Sequence, residues 1–209
     1  MDFEQKVYFE ADQSVEVPVY GSVDAAGCDV KVAEDCVILP GQTVIVKTGF
    51  KLALPKGTEL QVRPRSGLSL KTDLRIPNSP GTIDADYRHE CGIIMQNSFQ
   101  QSHLIDRLIA DSDLINKLNG EYKLVKLSDY LLERGTAAEL LEVLPEYLRN
   151  SEVYIDQQGN PYGTVYLKKG ERIAQLVLNS FHKIDFVAHD DVSSIGSDRG
   201  GGYGSTGRF

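Results

Sequence analysis

A chain of 209 residues is long enough to bury a real core, in one generous domain or two small ones. Its 41% apolar and 25% charged residues are ordinary for a globular protein, and no run approaches the ~20 apolar residues of a membrane span. The formal net charge of -8 argues against a broad phosphate-backbone binder, so no stable nucleic-acid or membrane binding is expected, and an anionic ligand must be met by local positive charge or a metal.

The opening MDFEQKVYFE has no signal-peptide pattern, and the widely spaced Cys28, Cys36 and Cys91 suggest neither a disulfide framework nor a zinc knuckle. A reducing, intracellular compartment is expected: the cytoplasm, or a host's cytoplasm for a viral chain. From Lys6 to Leu70, short β-branched and apolar runs such as Thr43–Lys47 and Leu60–Val62 alternate with turns at Pro40-Gly41 and Pro55-Lys56-Gly57. Several short strands in a barrel or sandwich follow. Beyond the strand-like Gly92–Asn97, the spacing of Leu104, Ile105, Leu108, Ile109, Ile115 and Leu118 predicts helices. A second helix start is read at Thr136-Ala137-Ala138-Glu139, a capping-box pattern after Gly135, and Pro145 should kink or end that helix. Strand texture returns at Val153–Ile155, Val165–Leu167 and Ile173–Leu178, with a turn at Gly159-Asn160-Pro161. The expected organisation is a β-barrel from 1–98 and 162–192, a largely helical insertion at 99–161, and a Gly-rich mobile arm at 193–209.

Five short segments carry chemistry-bearing residues, each with an ordinary structural explanation when taken singly. Asp29, after Ala26-Gly27-Cys28, reads as a turn carboxylate. Arg65-Ser66-Gly67 reads as a solvated turn or a compact phosphate clamp. Gly81-Thr82-Ile83-Asp84-Ala85-Asp86-Tyr87-Arg88 sets two acids, an aromatic and an Arg among turn and strand residues, and a charged hairpin rim is its rival. Gly170-Glu171-Arg172-Ile173-Ala174-Gln175-Leu176-Val177 reads as a turn entering a buried strand, with Gln175 the one polar residue of the apolar run from Ile173, so a backbone or ligand contact is expected for its amide. Arg199-Gly200-Gly201-Gly202-Tyr203-Gly204-Ser205-Thr206-Gly207 reads either as a phosphate nest with an aromatic lid or as a linker, and no Lys follows the glycines to make a Walker A loop.

Taken in order, these five segments closely resemble the five motifs of the trimeric dUTPase family over about residues 20–98 and 162–207. The resemblance implies a mainly β fold, a distorted jelly-roll barrel, and a homotrimer with active sites shared between subunits. It implies hydrolysis of dUTP to dUMP and pyrophosphate with Mg²⁺. Asp84 is then the expected general base for a water attacking the α-phosphorus, and Asp29 would orient a water on the Mg²⁺. Arg65, Ser66, Gly67, Gln175 and Arg199 would hold the phosphates. Asn78 and the backbone of Gly81, Thr82 and Ile83 would read the uracil edge, Tyr87 would pack on the deoxyribose and exclude a 2′-hydroxyl, and Tyr203 with Gly204 and Ser205 would close over the nucleotide.

Three positions depart from the family's usual pattern. His89 stands where Gly is common, the Arg199 to Tyr203 spacing is one residue short with Tyr for Phe, and Cys28 replaces a bulkier residue. Two rival readings stay open: a dCTP deaminase of the same fold, and a regulatory protein that binds a protein partner through the helical insertion.

Overall fold

The computed structural model describes residues 5–198 and 200. In chain order its strands are β1 (Tyr8–Ala11), β2 (Val19–Tyr20), β3 (Cys28–Lys31), β4 (Cys36–Ile38), β5 (Thr43–Val46), β6 (Phe50–Ala53), β7 (Thr58–Pro64), β8 (Leu74–Arg75), β9 (Gly81–Ile83) and β10 (Ile93–Asn97). After the helical stretch come β12 (Glu152–Ile155), β13 (Val165–Leu167) and β14 (Arg172–Ser180). One further strand, β11 (Lys123–Lys126), lies within that stretch. Every pairing is antiparallel, and the largest sheet runs β2-β3-β14-β7-β9. Because β14 comes late in sequence yet lies between β3 and β7, the sheet closes only after the helical stretch has been made.

The strands form where apolar residues alternate. In β7, Thr58, Leu60 and Val62 turn inward while Glu59, Gln61 and Arg63 turn out; in β10, Ile93, Met95 and Asn97 are the inward set. The inward residues meet in one core with Val30, Ile38, Val46, Phe50, Leu74, Ile173 and Leu176. Burying such side chains stabilises the fold by about 1.5–3 kcal/mol each. This is the mainly β, jelly-roll type of architecture expected from the sequence.

Helices occupy the predicted stretch: α2 (Gln101–Ala110), α3 (Asp113–Glu121), α4 (Leu127–Glu133), α5 (Ala138–Glu142) and α6 (Glu146–Arg149), preceded by the short α1 (Ser66–Lys71) in the barrel. Leu104, Leu114 and Leu118 pack with Phe99 into a second, smaller core against Leu108, Tyr122, Tyr154 and Tyr162. That core is riveted to the barrel. The buried Asn97 donates to the carbonyls of Ile38 at 3.0 Å and Gly163 at 2.8 Å, which joins the two ends of the stretch. Gly163 has φ 91°, and a Cβ there would stand 2.4 Å from Cδ1 of Phe99, so glycine is required on both counts. Arg107 lies 5.1 Å from the Phe99 ring centre and pairs with Asp73 of the barrel at 2.5 Å.

One local expectation changes. The capping box at Thr136 is not formed: α5 starts after Ala137 with no side-chain cap, and the Thr136 N–H instead donates to the Leu131 carbonyl. With Gly135 at φ 85° and its N–H on the Leu132 carbonyl, Thr136 completes the end of α4, so the C-cap outcompetes the N-cap. Within this largely helical stretch the strand read at Val153–Ile155 forms as β12, and it pairs with β11, a strand the sequence did not signal. After β14 the chain from Phe181 to Asp198 is exposed and holds a single 3₁₀ turn, Val192–Ser194. Among the described residues, no helix is long and apolar enough to cross a membrane.

Candidate active site

The candidate residues fall into two groups on the large sheet. The first is charged. Asp29 on β3 faces Gln175 on β14, which in turn faces Arg63 on β7. Arg65, just past the end of β7, donates from Nε to one Asp29 carboxylate oxygen at 2.8 Å, and Arg172 donates from Nη1 to the other at 3.0 Å. Arg65 also reaches the Arg172 carbonyl at 3.2 Å, so the three side chains close into an Arg–Asp–Arg clamp with Asp29 only 14% exposed. Two guanidiniums around one carboxylate leave a net positive charge, and the donors not used on Asp29 are available to an anion. Gln175 lies at the same place: a Cβ on Gly27 would sit 3.0 Å from its Oε1. Ser66 and Gly67 follow Arg65 as the first residues of α1, so the segment read as a turn continues as a short helix.

The second group lines a pocket of about 230 Å³. Val62, Ile76, Ile83, Cys91 and Ile93 give it an apolar floor, while Asn78, Gly81, Thr82, Asp84 and Tyr87 supply the polar groups. That combination suits a flat heterocycle held by a few directional bonds. Asn78, Gly81, Thr82, Ile83, Asp84 and Tyr87 therefore share one cavity. Burial pushes the Cys91 thiol up to about 11, with nearby Glu90 adding to the rise, so the pocket wall stays protonated and unreactive at neutral pH. Burial likewise raises the Cys28 thiol, which donates to the Leu176 carbonyl at 3.6 Å and packs against the core. Asp84 itself is exposed.

The two groups have no residue in common. Asp29 and Gln175 stand level with Arg63, whereas β9 runs from Gly81 opposite Val62 to Ile83 opposite Leu60 and so carries Asp84 toward the far end of β7. By strand rise and spacing, Asp29 and Asp84 of one chain are about 20 Å apart. One substrate phosphorus cannot touch both. Arg199, Tyr203, Gly204 and Ser205 lie outside the described residues.

Two features escaped sequence reasoning. Arg172 sits in a segment already singled out, yet its bond to Asp29 spans 143 positions and needed the β3–β14 register to appear. The apolar pocket floor comes from four separate strands or their flanks, and only Ile83 among its residues lies in the quoted motif. Among the described residues no non-glycine residue has positive φ, so His89 sits in its turn without backbone strain.

Among the described residues no group of three or more His, Cys, Asp or Glu side chains gathers to hold an ion. Asp29 stands as a lone carboxylate with one guanidinium on each oxygen, so it is not by itself a cage for a cation.

The model of the dUTPase family matches residues 13–107. The deoxyuridine 5'-triphosphate nucleotidohydrolase of Chlamydia felis is 45% identical over 102 residues, 48% of this chain and 69% of that protein. That of Desulfotalea psychrophila is 49% identical over 92 residues, 43% of this chain and 61% of that protein. In fold, the chain is similar to the Staphylococcus bacteriophage 80alpha dUTPase with dUPNHPP, at a TM-score of 0.65 and 21% identity over 97% of this chain and 98% of that one. A dUTPase from phage phi11 of S. aureus, described with a species-specific insert, has a TM-score of 0.61 at 21% identity and covers 90% of this chain and 99% of that one. On the identity and coverage of the Chlamydia felis protein, this chain belongs to the dUTPase family.

Proposed function

We propose that this enzyme hydrolyses dUTP to dUMP and pyrophosphate at a site completed between subunits of a homotrimer. The observation that carries the reading is the pocket in which Asn78, Gly81, Thr82, Ile83 and Tyr87 surround an apolar floor with Asp84 at hand. Asn78 and the strand backbone would meet the uracil edge, and Tyr87 the deoxyribose. Asp84 is the general base: it accepts the proton of a water as that water attacks the α-phosphorus, and pyrophosphate leaves. Asp84 is exposed in the single chain, and a neighbouring subunit is what would enclose it.

The clamp supplies the other half of the chemistry. Arg65, Ser66, Gly67 and Gln175 would hold the phosphate chain of a nucleotide seated in a neighbour's pocket, and positioned donors of this kind stabilise developing charge. The roughly 20 Å between Asp29 and Asp84 of one chain supports sharing, because neither group is complete alone. Asp29 would help hold Mg²⁺ through a water, and the ion would supply neutralisation of phosphate oxygens that otherwise repel the attacking water. A related phage phi11 dUTPase is described with a structural Mg(II) ion. Arg199, Tyr203, Gly204 and Ser205 would close over the nucleotide from the C-terminal arm.

The barrel at 1–98 and 162–192 is the catalytic body, and the stretch at 99–161 contributes none of the proposed site residues. Its exposed Ile105, Ile109, Leu140, Val143 and Tyr147 leave room for a protein partner there. With three unpaired cysteines, we assign its action to a reducing cytoplasm. The test is product analysis with dUTP, dCTP, dTTP and UTP in Mg²⁺. Pyrophosphate from dUTP alone is expected; ammonia from dCTP would make it a deaminase, and no reaction would overturn the reading.

A further inference from the structure

A ring that discriminates between sugars works only if it is held in place, because a loose ring simply yields to an extra hydroxyl. Tyr87 is held at two points. Its hydroxyl donates to the Glu90 carbonyl at 3.1 Å, and the His89 ring meets it edge-on, with centroids 5.7 Å apart and planes inclined by 65°. The first anchor is firm, since the Glu90 carboxylate accepts the Gly49 N–H at 2.9 Å and the Cys91 N–H donates to the Phe50 carbonyl at 2.9 Å. Arg88 folds the turn beneath, its Nη1 bridging the carbonyls of Ala85 at 2.8 Å and Tyr87 at 2.9 Å. These bonds fix the backbone and the phenol oxygen. They leave the ring free to tilt about the line between them.

His89 opposes that tilt. Tyr87 is 40% exposed, so the core does not enclose its ring, and among the described residues His89 is its one aromatic partner. Where the resembled family commonly has glycine, no side chain stands at this position, so the contact belongs to this chain. Backbone geometry gives no reason for it, since a residue without positive φ needs neither glycine nor any other special type.

We infer that His89 is a positioning residue for Tyr87 and sharpens the rejection of a 2′-hydroxyl by this site. The inference rests on the dUTP reading above. Edge-to-face pairs of this kind correspond to about two- to tenfold in an equilibrium or rate ratio. The experiment compares kcat/KM for dUTP and UTP in the full-length enzyme. His89→Ala and His89→Gln should each lower the dUTP to UTP ratio about three- to tenfold, mainly by easing UTP binding, while His89→Phe, which keeps the ring edge, should hold it within about twofold. In a Tyr87→Ala background, His89→Ala should change the ratio no further, because the effect passes through Tyr87. An unchanged ratio in the Ala and Gln variants, an equal loss in the Tyr87→Ala background, or failure of Phe to restore it overturns the inference while leaving dUTP hydrolysis standing. Absence of dUTP hydrolysis by the unsubstituted chain overturns both.

Discussion

The barrel and the helical stretch are built on different terms. The barrel gathers Val30, Ile38, Phe50, Leu74, Ile93, Ile173 and their neighbours into one continuous core, and its sheet then has outward positions to spare for Asp29, Arg65, Arg172 and Gln175. The helical stretch buries far less: Leu104, Leu114 and Leu118 share one small cluster with Phe99, and α4 and α6 bury no residue fully. Exposed Ile109, Val143 and Tyr147 remain on its surface. Rigid β structure carries the groups that must be positioned to a fraction of an ångström, while the stretch is held at its two ends by Asn97, Gly163 and the Arg107–Asp73 pair. Chemistry and local stability should therefore separate between the two regions.

The largest expected effect is on the barrel side. Asp84→Asn keeps the size of the side chain but cannot accept the proton of water, so turnover with dUTP should fall ~10²–10⁴-fold with an unchanged thermal midpoint. Retention of near-normal turnover would remove the base from Asp84. Next is Leu118→Ala, which opens a void in the small core at a residue only 2% exposed. A loss of about 2–4 kcal/mol is expected in denaturant unfolding, with kcat on dUTP kept at temperatures where the chain is folded. If kcat fell in step with stability, the stretch would be part of the catalytic body, and the contrast between the regions would fail.

The smallest effect concerns pH. The Cys91 thiol is raised to about 11 in the folded chain by burial, above its ordinary value of roughly 8.5 in an unfolded one. Between those values the unfolded chain has lost the proton that the folded chain keeps, so stability falls as pH rises from about 8.5 to 11. Urea unfolding of Cys91→Ala should show a flatter decline over that window than the parent, and identical slopes would show that another group governs it.

How much of this could be read in the sequence follows from the range of the interactions involved. The strands β7 and β14 were legible because Leu60, Val62, Ile173 and Leu176 make their pattern locally. The polar residues of the pocket lie within one short segment, Asn78 to Tyr87, and were singled out through the family resemblance rather than by a local pattern. What escaped depends on distant partners. Lys123–Lys126 has two apolar residues and becomes a strand by pairing with Glu152–Ile155. Arg172 acquires its place through Asp29, and no local signal marks that bond. Thr136 was misread because the same Gly135-Thr136 pair can close one helix or open the next, and the bonds to Leu131 and Leu132 decide for closure.

The central claim is that Asp84 of one chain works with Arg65 and Gln175 of another. Chains carrying Asp84→Asn and chains carrying Arg65→Ala, each expected to be nearly inactive alone, can be unfolded together and refolded as mixed oligomers. In the proposed homotrimer, every mixed trimer would contain a site that combines an intact Asp84 from one chain with an intact Arg65 from its neighbour, so dUTP hydrolysis should return on mixing and be absent from either variant refolded separately. If oligomers shown by mass to contain both variants remain as inactive as their parents, the site is not shared between chains and the account is wrong.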